Sequence, residues 1–405
     1  MLIASHRTPG SGPLYLVFHA YDRVHRRNQL FSGDGSHGIP IEPVFQYHAL
    51  TTERSFRLLT LLPAVSMSDR IECQVEEFQT TDYLKYVALS YTWGKPDPKV
   101  QIGLNGCIFG IPENLHEALR HLRHTRYPTT WWIDAICIDQ NNIHERGHQV
   151  SQMRDIYKRA ANVLAWLGPS DSSSSFFMKA VRDSYWNDAN AYKNRLQAEI
   201  MLSSVQSFFR RPYWTRVWVI QELLVAKEVN FVCGREHLEW APFGDFLAFF
   251  NNTVEFSGSD EADTIMSSWE FLISERKRCN GKKCLHELLF GTTMAQASDQ
   301  RDRIYALLGL VKRGRGNDIT PDYSRSPCAV YGSAIYAMIN DMKDGQGRYK
   351  DLEEVESVES EIEEEIMQRC QHDPLGGITK ERVDCDGDDC GVGDFCLHFL
   401  PNLLH

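Results

Sequence analysis

Residues 131–153 read WWIDAICIDQNNIHERGHQVSQM, and this stretch decides the fold class. Bulky apolar residues at 131–138 predict a strand, and Asn142 predicts the start of an amphipathic helix over about 142–160. A strand that leads directly into a helix is the repeating unit of α/β proteins. Their ligand sites lie where strand ends meet helix starts, so this stretch also indicates where function resides.

The segments on either side of this stretch alternate in the same way. Their patterns predict strands at 86–91, 162–167 and 228–233 and helices at about 113–124 and 215–226. This order predicts an α/β fold with a parallel sheet and helices on both faces. The strands at 86–91 and 131–138 are almost continuously apolar, which predicts that they are neighbours in the buried centre.

Two earlier apolar runs extend this pattern toward the N-terminus. Residues 56–62 and 71–78 predict two more strands. The second run alternates apolar and polar residues, as an edge strand of a hairpin does.

The two ends of the chain differ from its centre. Residues 1–46 are rich in Gly, Pro, Ser, His and Arg and predict a loose leader. Residues 47–345 hold the periodic patterns, with an α/β core at about 83–235 and a mostly helical extension at 241–345. Residues 346–405 form an acidic tail whose composition is typical of disorder.

The formal net charge of -11 arises in this tail. Residues 351–405 hold 16 acidic and three basic side chains, a charge of -13, so subtraction leaves +2 for residues 1–350. A nearly neutral main part predicts no nucleic-acid partner. No stretch reaches the roughly 20 apolar residues of a membrane span. Cysteines without paired spacing and an N-terminus without a signal peptide predict a reducing, cytoplasmic location.

His144, Glu145 and His148 form the HExxH pattern of zinc hydrolases. Such a site would place both imidazoles on one helix face, with Glu145 as the general base. No third histidine follows at the spacing of the extended motif, and the pattern falls in an exposed first turn. We therefore expect no metal here and expect both histidines to face solvent. Glu145 stands three residues after Asn142, which predicts a capping box instead.

Four blocks of sequence resemble the signature blocks of the fungal heterokaryon incompatibility (HET) domain. They occur in the family's order: YVALSYTWG from 86, WWIDAICIDQNNIHERGHQVSQMRDIYKRAANVLAWLG from 131, YWTRVWVIQE from 213 and SDQRDRIYALLGL from 298. The resemblance implies a role in non-self recognition and programmed cell death, a form of fungal innate immunity. It also implies a flavodoxin-like fold similar to Toll/interleukin-1 receptor (TIR) domains, some of which hydrolyse NAD.

In the NAD-cleaving TIR domains, a helix after the third strand carries a tryptophan and, four residues later, a catalytic glutamate. Trp218 and Glu222 match this arrangement and share a helix face, so the resemblance implies a catalytic role for Glu222. Arg216 is a candidate for holding a phosphate of the substrate. The apolar residues around Glu222 predict burial, where an ionised carboxylate needs a partner. A structural ion pair with Arg216 or Arg154 is the alternative.

The ends of the first two core strands hold the other candidate substrate-binding residues. Ser90, Trp93 and Gly94 belong to the turn after 86–91, where Trp93 could stack on a flat ring and Gly94 lets backbone approach. Asp134 and Asp139 lie toward the end of 131–138. The structural alternatives are a core position for Trp93 and a simple turn for Gly94. For Asp134 the alternative is a buried hydrogen-bond acceptor, and for Asp139 the start of a turn.

Three functions are therefore compatible with the chain. The first is NAD or nucleotide cleavage, in which one carboxylate stabilises the oxocarbenium-like ribose; NAD is then a substrate and no cofactor is needed. The second is a non-enzymatic signalling module of the same fold that self-associates or binds another incompatibility protein. The third is a zinc hydrolase.

Overall fold

The computed structural model describes residues 42–183, 195–253, 269, 276, 284–311 and 319–341. Most of the predicted leader at 1–46 and all of the acidic tail at 346–405 lie outside the described residues. The chain divides into two compact units. Unit 1 comprises residues 1–145, 155–213 and 226–255, and unit 2 comprises residues 146–154, 214–225 and 256–405.

Within the described residues, unit 1 is built on a nine-stranded sheet. Its strands are β1 (Ser55–Leu61), β2 (Glu72–Gln79), β3 (Val87–Tyr91), β4 (Lys99–Leu104), β5 (Cys107–Pro112), β6 (Thr129–Trp132), β7 (Asn162–Trp166), β8 (Val229–Cys233) and β9 (Glu236–Glu239). They lie side by side in the order β5-β4-β2-β1-β6-β3-β7-β8-β9.

Four neighbouring strands of this sheet, β6, β3, β7 and β8, run parallel. Numbered along the chain, these four lie in the spatial order 2-1-3-4. That order is the one found in flavodoxin-like, doubly wound sheets. The predicted α/β fold with neighbouring strands 86–91 and 131–138 is therefore confirmed, in a mixed sheet whose outer strands are partly antiparallel.

Helices connect and follow the strands. They are α1 (Glu113–Leu122), α2 (Asp134–Cys137), α3 (Ile143–Arg159), α4 (Ser172–Arg182), α5 (Arg195–Phe209), α6 (Val217–Val225), α7 (Trp240–Thr253), α8 (Leu285–Phe290), α9 (Asp302–Leu308) and α10 (Pro327–Asp341). α6, α8, α9 and α10 belong to unit 2, and α3 contributes residues to both units. No helix in the described ranges is long and apolar enough to cross a membrane.

The central strand β3 is buried on both faces. Ala88, Leu89, Ser90 and Tyr91 are all buried, although successive residues of a strand point to opposite faces of the sheet. Part of this cover comes from Tyr157 of α3, whose hydroxyl donates to the Leu89 carbonyl over 3.1 Å. Burial on both faces explains why the sequence of β3 is apolar without alternation.

The predicted hairpin of β1 and β2 is present, with antiparallel pairing along all of β1. The prediction that the second strand lies at the sheet edge is wrong, because β2 also pairs with β4 and the hairpin β4–β5 extends the sheet beyond it. That hairpin turns at Asn105 and Gly106, whose φ angles are 52° and 76°. Positive φ at both positions is the requirement of a type I′ turn, which an Asn-Gly pair meets most readily.

The strand predicted at 131–138 is shorter than expected. β6 ends at Trp132, and α2 begins at Asp134. The Asp134 carboxylate accepts a hydrogen bond of 2.8 Å from the N–H of Ala135. A short acidic side chain can accept hydrogen bonds from nearby backbone N–H groups, which then do not pair with a neighbouring strand. This competition explains why the strand ends here.

In the described residues of unit 2, the regular secondary structure is helical, and single bridges are its only β pairing. α9 packs against both α6 and α8. Trp269 is fully buried, and its indole N–H donates to the Trp214 carbonyl over 2.9 Å while the two rings pack edge to face. The helical extension predicted at 241–345 falls partly outside the described residues, and its described part contains α7 to α10.

The N-terminus of α4 supports a stability prediction. The Asp171 carboxylate accepts a hydrogen bond of 2.7 Å from the Ser174 N–H in a capping box. Asp171→Ala should lower the free energy of unfolding by about 1 kcal/mol at pH 7. The Ser174 N–H also lowers the pKa of Asp171. The stabilisation is therefore present above the unfolded-state pKa of about 3.9 and is lost as the pH falls.

Thermal melting of both proteins at pH 7 and pH 3 checks this expectation. The gap in melting temperature between wild type and Asp171→Ala should narrow at the lower pH. Ser172→Ala, at the exposed first residue of the same helix, is the control and should leave the melting temperature nearly unchanged. Equal melting temperatures of wild type and Asp171→Ala at pH 7 would contradict the prediction.

Candidate functional site

The order of the parallel strands reverses between β3 and β7, and this creates a switch point in the sheet of unit 1. In doubly wound folds, ligands bind outside the carboxyl ends of the strands at such a point. Here the ends of β3, β6 and β7 continue into residues 92–98, 133–140 and 167–171, which we call the strand-end edge. Five of the predicted site residues lie in or next to it: Ser90, Trp93, Gly94, Asp134 and Asp139.

Trp93 is a surface residue of this edge. Its side chain is 37% exposed, so the alternative that it closes the core is wrong. Its indole N–H donates to a carboxylate oxygen of Asp134 over 2.8 Å. Residues 41 positions apart therefore meet at the ends of two adjacent parallel strands. An exposed indole that is held at its nitrogen can offer a ring face to a flat ligand.

Gly94 follows Trp93 with a φ of 74°, in the region that favours glycine. A Cβ atom at this position would lie 3.5 Å from the Cβ of Asn114 in α1. The turn therefore requires glycine for its backbone conformation and passes close to the first turn of α1.

Ser90 lies deeper than the other candidates. It is fully buried, and its hydroxyl oxygen lies 2.8 Å from the hydroxyl oxygen of Tyr213. This position argues for a supporting role beneath the strand-end edge and against direct contact with a ligand.

Asp134 and Asp139 are both half-buried and have different roles. Asp134 accepts hydrogen bonds from the Trp93 indole and the Ala135 N–H, as its structural alternative predicts, but it is half-buried where that alternative predicts burial. Asp139 begins a turn: its carboxylate accepts a hydrogen bond of 3.1 Å from the Asn141 N–H. The geometry therefore connects Asp134, and not Asp139, directly to Trp93.

Arg211 fixes the loop that follows β7. Its guanidinium donates to the carbonyl oxygens of Leu167 and Pro169 at 2.9 and 3.0 Å and pairs with Asp171 at 2.8 Å. A guanidinium engaged in this way contributes to the fold, so it is a poor candidate for binding phosphate. The loop also uses Gly168 at a φ of 93°.

The residues predicted from the TIR resemblance lie in unit 2. Glu222 on α6 is buried, with 1% exposure, as the apolar sequence around it predicts. Trp218 is half-buried, and it forms a hydrogen bond with the side chain of Asp302. Arg216 is half-buried, and its backbone forms a bridge with Gln296.

A charged cluster around Asp302 was not predicted. The Tyr323 hydroxyl donates to the Asp302 carboxylate over 2.6 Å, and the Arg146 guanidinium lies 3.7 Å from the centre of the Tyr323 ring. Asp299 approaches Arg146 at 3.7 Å and pairs with Arg301 at 2.8 Å. Burial raises the pKa of Asp302. Burial also favours a higher pKa for Asp299, but the hydrogen bonds and charge of Arg301 outweigh it and lower that pKa.

The cluster brings together three of the four sequence blocks within unit 2. Arg146 comes from the block at 131, Trp218 from the block at 213, and Asp299, Arg301 and Asp302 from the block at 298. Alternating acidic and basic residues in SDQRDR are the sequence signal that could have indicated an ion-pair network. These polar residues pair with one another inside unit 2.

Glu145 has a different partner from the one predicted. Asn142 does cap α3, because its side chain accepts a hydrogen bond of 3.1 Å from the Glu145 N–H. The Glu145 carboxylate, however, forms a buried pair with Arg57 of β1 at 2.5 and 3.1 Å and accepts the Asp139 N–H at 2.8 Å. The reciprocal half of the predicted capping box is therefore replaced by an ion pair.

The same geometry argues against the zinc hypothesis. Glu145 is engaged by Arg57 and cannot serve as a general base. His144 is exposed as expected, whereas His148 is half-buried beside the amide nitrogen of Gln152 at 3.0 Å. In the described part of the chain, no three His, Cys, Asp or Glu side chains are grouped closely enough to hold a metal ion.

Freshly purified protein should therefore contain zinc at well below one equivalent. His144→Ala should change the free energy of unfolding by less than about 0.5 kcal/mol, because the side chain is exposed. Elemental analysis and thermal melting measure these two quantities. Stoichiometric zinc in the wild type that is lost in His144→Ala would contradict both expectations.

Comparison with known proteins matches part of the chain to one family. The family model of the heterokaryon incompatibility protein (HET) matches residues 86–222. The chain is 28% identical to heterokaryon incompatibility protein 6, OR allele, of Neurospora crassa over 334 residues, which cover 67% of this chain and 49% of that protein. This chain thus spans about half the length of that curated relative.

No solved structure matches the chain. The residues that the family model matches run from the start of β3 to Glu222 on α6 and include three of the four sequence blocks. The strand-end edge and most of the parallel sheet fall within the same residues. The chain therefore carries a HET domain at residues 86–222.

Proposed function

We propose that this protein acts in fungal heterokaryon incompatibility and regulated cell death, and that its strand-end edge binds a nucleotide such as NAD. The biological part of the proposal is supported by the match to the HET family and by the similarity to the Neurospora heterokaryon incompatibility protein. The nucleotide-binding part is supported by the structure of unit 1.

The observation that carries the nucleotide-binding part is the exposed Trp93 at the switch point. Its ring is held by the hydrogen bond to Asp134, and Gly94 lets backbone approach beside it. Stacking of a base on an aromatic side chain contributes about 1–3 kcal/mol.

A more specific form of this proposal is that the protein also cleaves the bound NAD. Loss of nicotinamide leaves positive charge on the ribose, and one carboxylate can stabilise that charge because nicotinamide departs from an already cationic linkage. Glu222 is proposed as this carboxylate because Trp218 and Glu222 lie one turn apart on α6, as in the NAD-cleaving TIR domains. The assignment thus rests on the TIR resemblance.

A non-enzymatic module is the second candidate, and the burial of Glu222 favours it. A carboxylate with 1% exposure reaches a substrate only if the surrounding side chains move. In this form the protein binds a nucleotide and acts by self-association or by binding another incompatibility protein.

NAD consumption by the purified full chain, with and without forced oligomerisation, separates the two candidates. If the protein is an enzyme, the wild type consumes NAD and Glu222→Gln does not, while Glu239→Gln at an exposed position of β9 retains activity. If it is a module, expression in a fungal host kills cells without loss of NAD. No cell death and no NAD consumption by the wild type would contradict the proposed function.

A further inference from the structure

Asn114, in the first turn of α1, connects the two strands of the switch point. Its side-chain N–H group donates to the Thr92 carbonyl, which follows β3. Its side-chain oxygen accepts a hydrogen bond of 3.2 Å from the indole N–H of Trp166, the last residue of β7. One amide therefore uses both its donor and its acceptor to span from β3 to β7.

The same side chain also supports the turn that carries Trp93. Thr92, whose carbonyl Asn114 holds, is bonded directly to Trp93, and the position of a Cβ on Gly94 lies 3.5 Å from the Asn114 Cβ. Asn114 therefore holds the turn before Trp93 and lies close beside the turn after it. Asp134 holds the indole at its nitrogen, so backbone and ring are fixed by two separate contacts.

We propose that Asn114 is a positioning residue that places the Trp93 ring for ligand stacking. This inference rests on the proposed nucleotide site and adds the residue that shapes it. An aromatic ring binds a ligand by stacking only when it is held close to the required position, and a displacement of the ring by about 1 Å weakens binding. Loss of the hydrogen bond from Asn114 to the Thr92 carbonyl frees the backbone next to Trp93. The remaining hydrogen bond to Asp134 then fixes only the indole nitrogen, so the ring can rotate about that point.

Asn114→Asp is the sharpest test variant. It keeps the size of the side chain and an oxygen for the Trp166 indole, but it places a second oxygen against the Thr92 carbonyl. An acidic residue is favoured in the first turn of a helix, so α1 should still form. Asn114→Ala removes both bonds and serves as the second variant. Gln101→Glu makes the same amide-to-carboxylate change at an exposed position of β4 and is the matched control.

Fluorine NMR of the full chain labelled with 5-fluorotryptophan reads out the position of Trp93 without any ligand. Trp93→Phe assigns its signal among the nine tryptophans. Both Asn114 variants should shift or broaden the Trp93 signal, whereas Gln101→Glu should not. Calorimetric titration with NAD should show binding about tenfold weaker in Asn114→Asp, the effect of losing one hydrogen bond.

An unchanged Trp93 signal in folded Asn114 variants would overturn the proposal. So would unchanged NAD affinity together with a shifted signal, because the position of the ring would then not matter. A wild type that binds no NAD would contradict the proposed nucleotide site, and the fluorine signal would still decide whether Asn114 positions Trp93. Failure of the proposed nucleotide site can thus be distinguished from failure of the positioning role of Asn114.

Discussion

Arg57→Ala should lower the free energy of unfolding by about 3–5 kcal/mol, the largest effect that we expect from any single change. Arg57 and Glu145 are both nearly fully buried and form a two-pronged ion pair. Arg57 also donates to the carbonyls of Cys137 and His48 at 3.0 and 2.7 Å. Its removal leaves the Glu145 carboxylate buried without its counter-charge and releases contacts that join β1, α2 and α3.

Denaturant unfolding of wild type and variants measures this effect. Arg70→Ala is the matched control, because Arg70 pairs with Glu42 at 2.7 Å on the surface, where an ion pair contributes less than about 1 kcal/mol. The double variant Arg57→Met, Glu145→Leu should be less destabilised than Arg57→Ala, since neither charge is then buried alone. A loss in Arg57→Ala no larger than in Arg70→Ala would show that the buried pair is not important for stability.

Trp93→Ala should weaken NAD binding by about 5- to 150-fold, corresponding to the loss of about 1–3 kcal/mol of stacking. The melting temperature should fall less than on removal of a fully buried tryptophan, because Trp93 is 37% exposed. Calorimetric titration of the purified full chain gives the affinity, and thermal melting gives the stability.

Tyr83→Ala is the control for this experiment, because Tyr83 is an aromatic residue with 96% exposure in the same unit. It should bind NAD as the wild type does. Equal affinity of Trp93→Ala and wild type would remove Trp93 from the site. A large drop in the melting temperature of Trp93→Ala would instead indicate a structural role.

The central parallel strands could be predicted because strands buried on both faces have a continuously apolar sequence. Consecutive buried residues on β3 produce an uninterrupted apolar run, which a half-exposed strand cannot have. The prediction at 131–138 was wrong after Trp132 because the run contains Asp134, whose local hydrogen bond to the Ala135 N–H ends the strand. The hairpin at Asn105 and Gly106 was missed although that dipeptide is a known hairpin signal.

The candidate site could be predicted only in part, since its contacts join residues that are distant in sequence. Trp93 and Asp134 were recognisable separately, as an aromatic and an acidic residue after strand ends, but their hydrogen bond depends on the order of the strands. Arg57 lies 88 positions from Glu145, so local spacing suggested a capping box in place of the ion pair. A lone arginine within the apolar strand β1 was the available signal.

The most direct test of the nucleotide site is the response of Trp93 itself to NAD. In the full chain labelled with 5-fluorotryptophan, the fluorine signal that disappears in Trp93→Phe should shift saturably as NAD is added, with smaller changes at buried tryptophans such as Trp132 and Trp214. A Trp93 signal that stays unchanged at saturating NAD would contradict ligand binding at the strand-end edge.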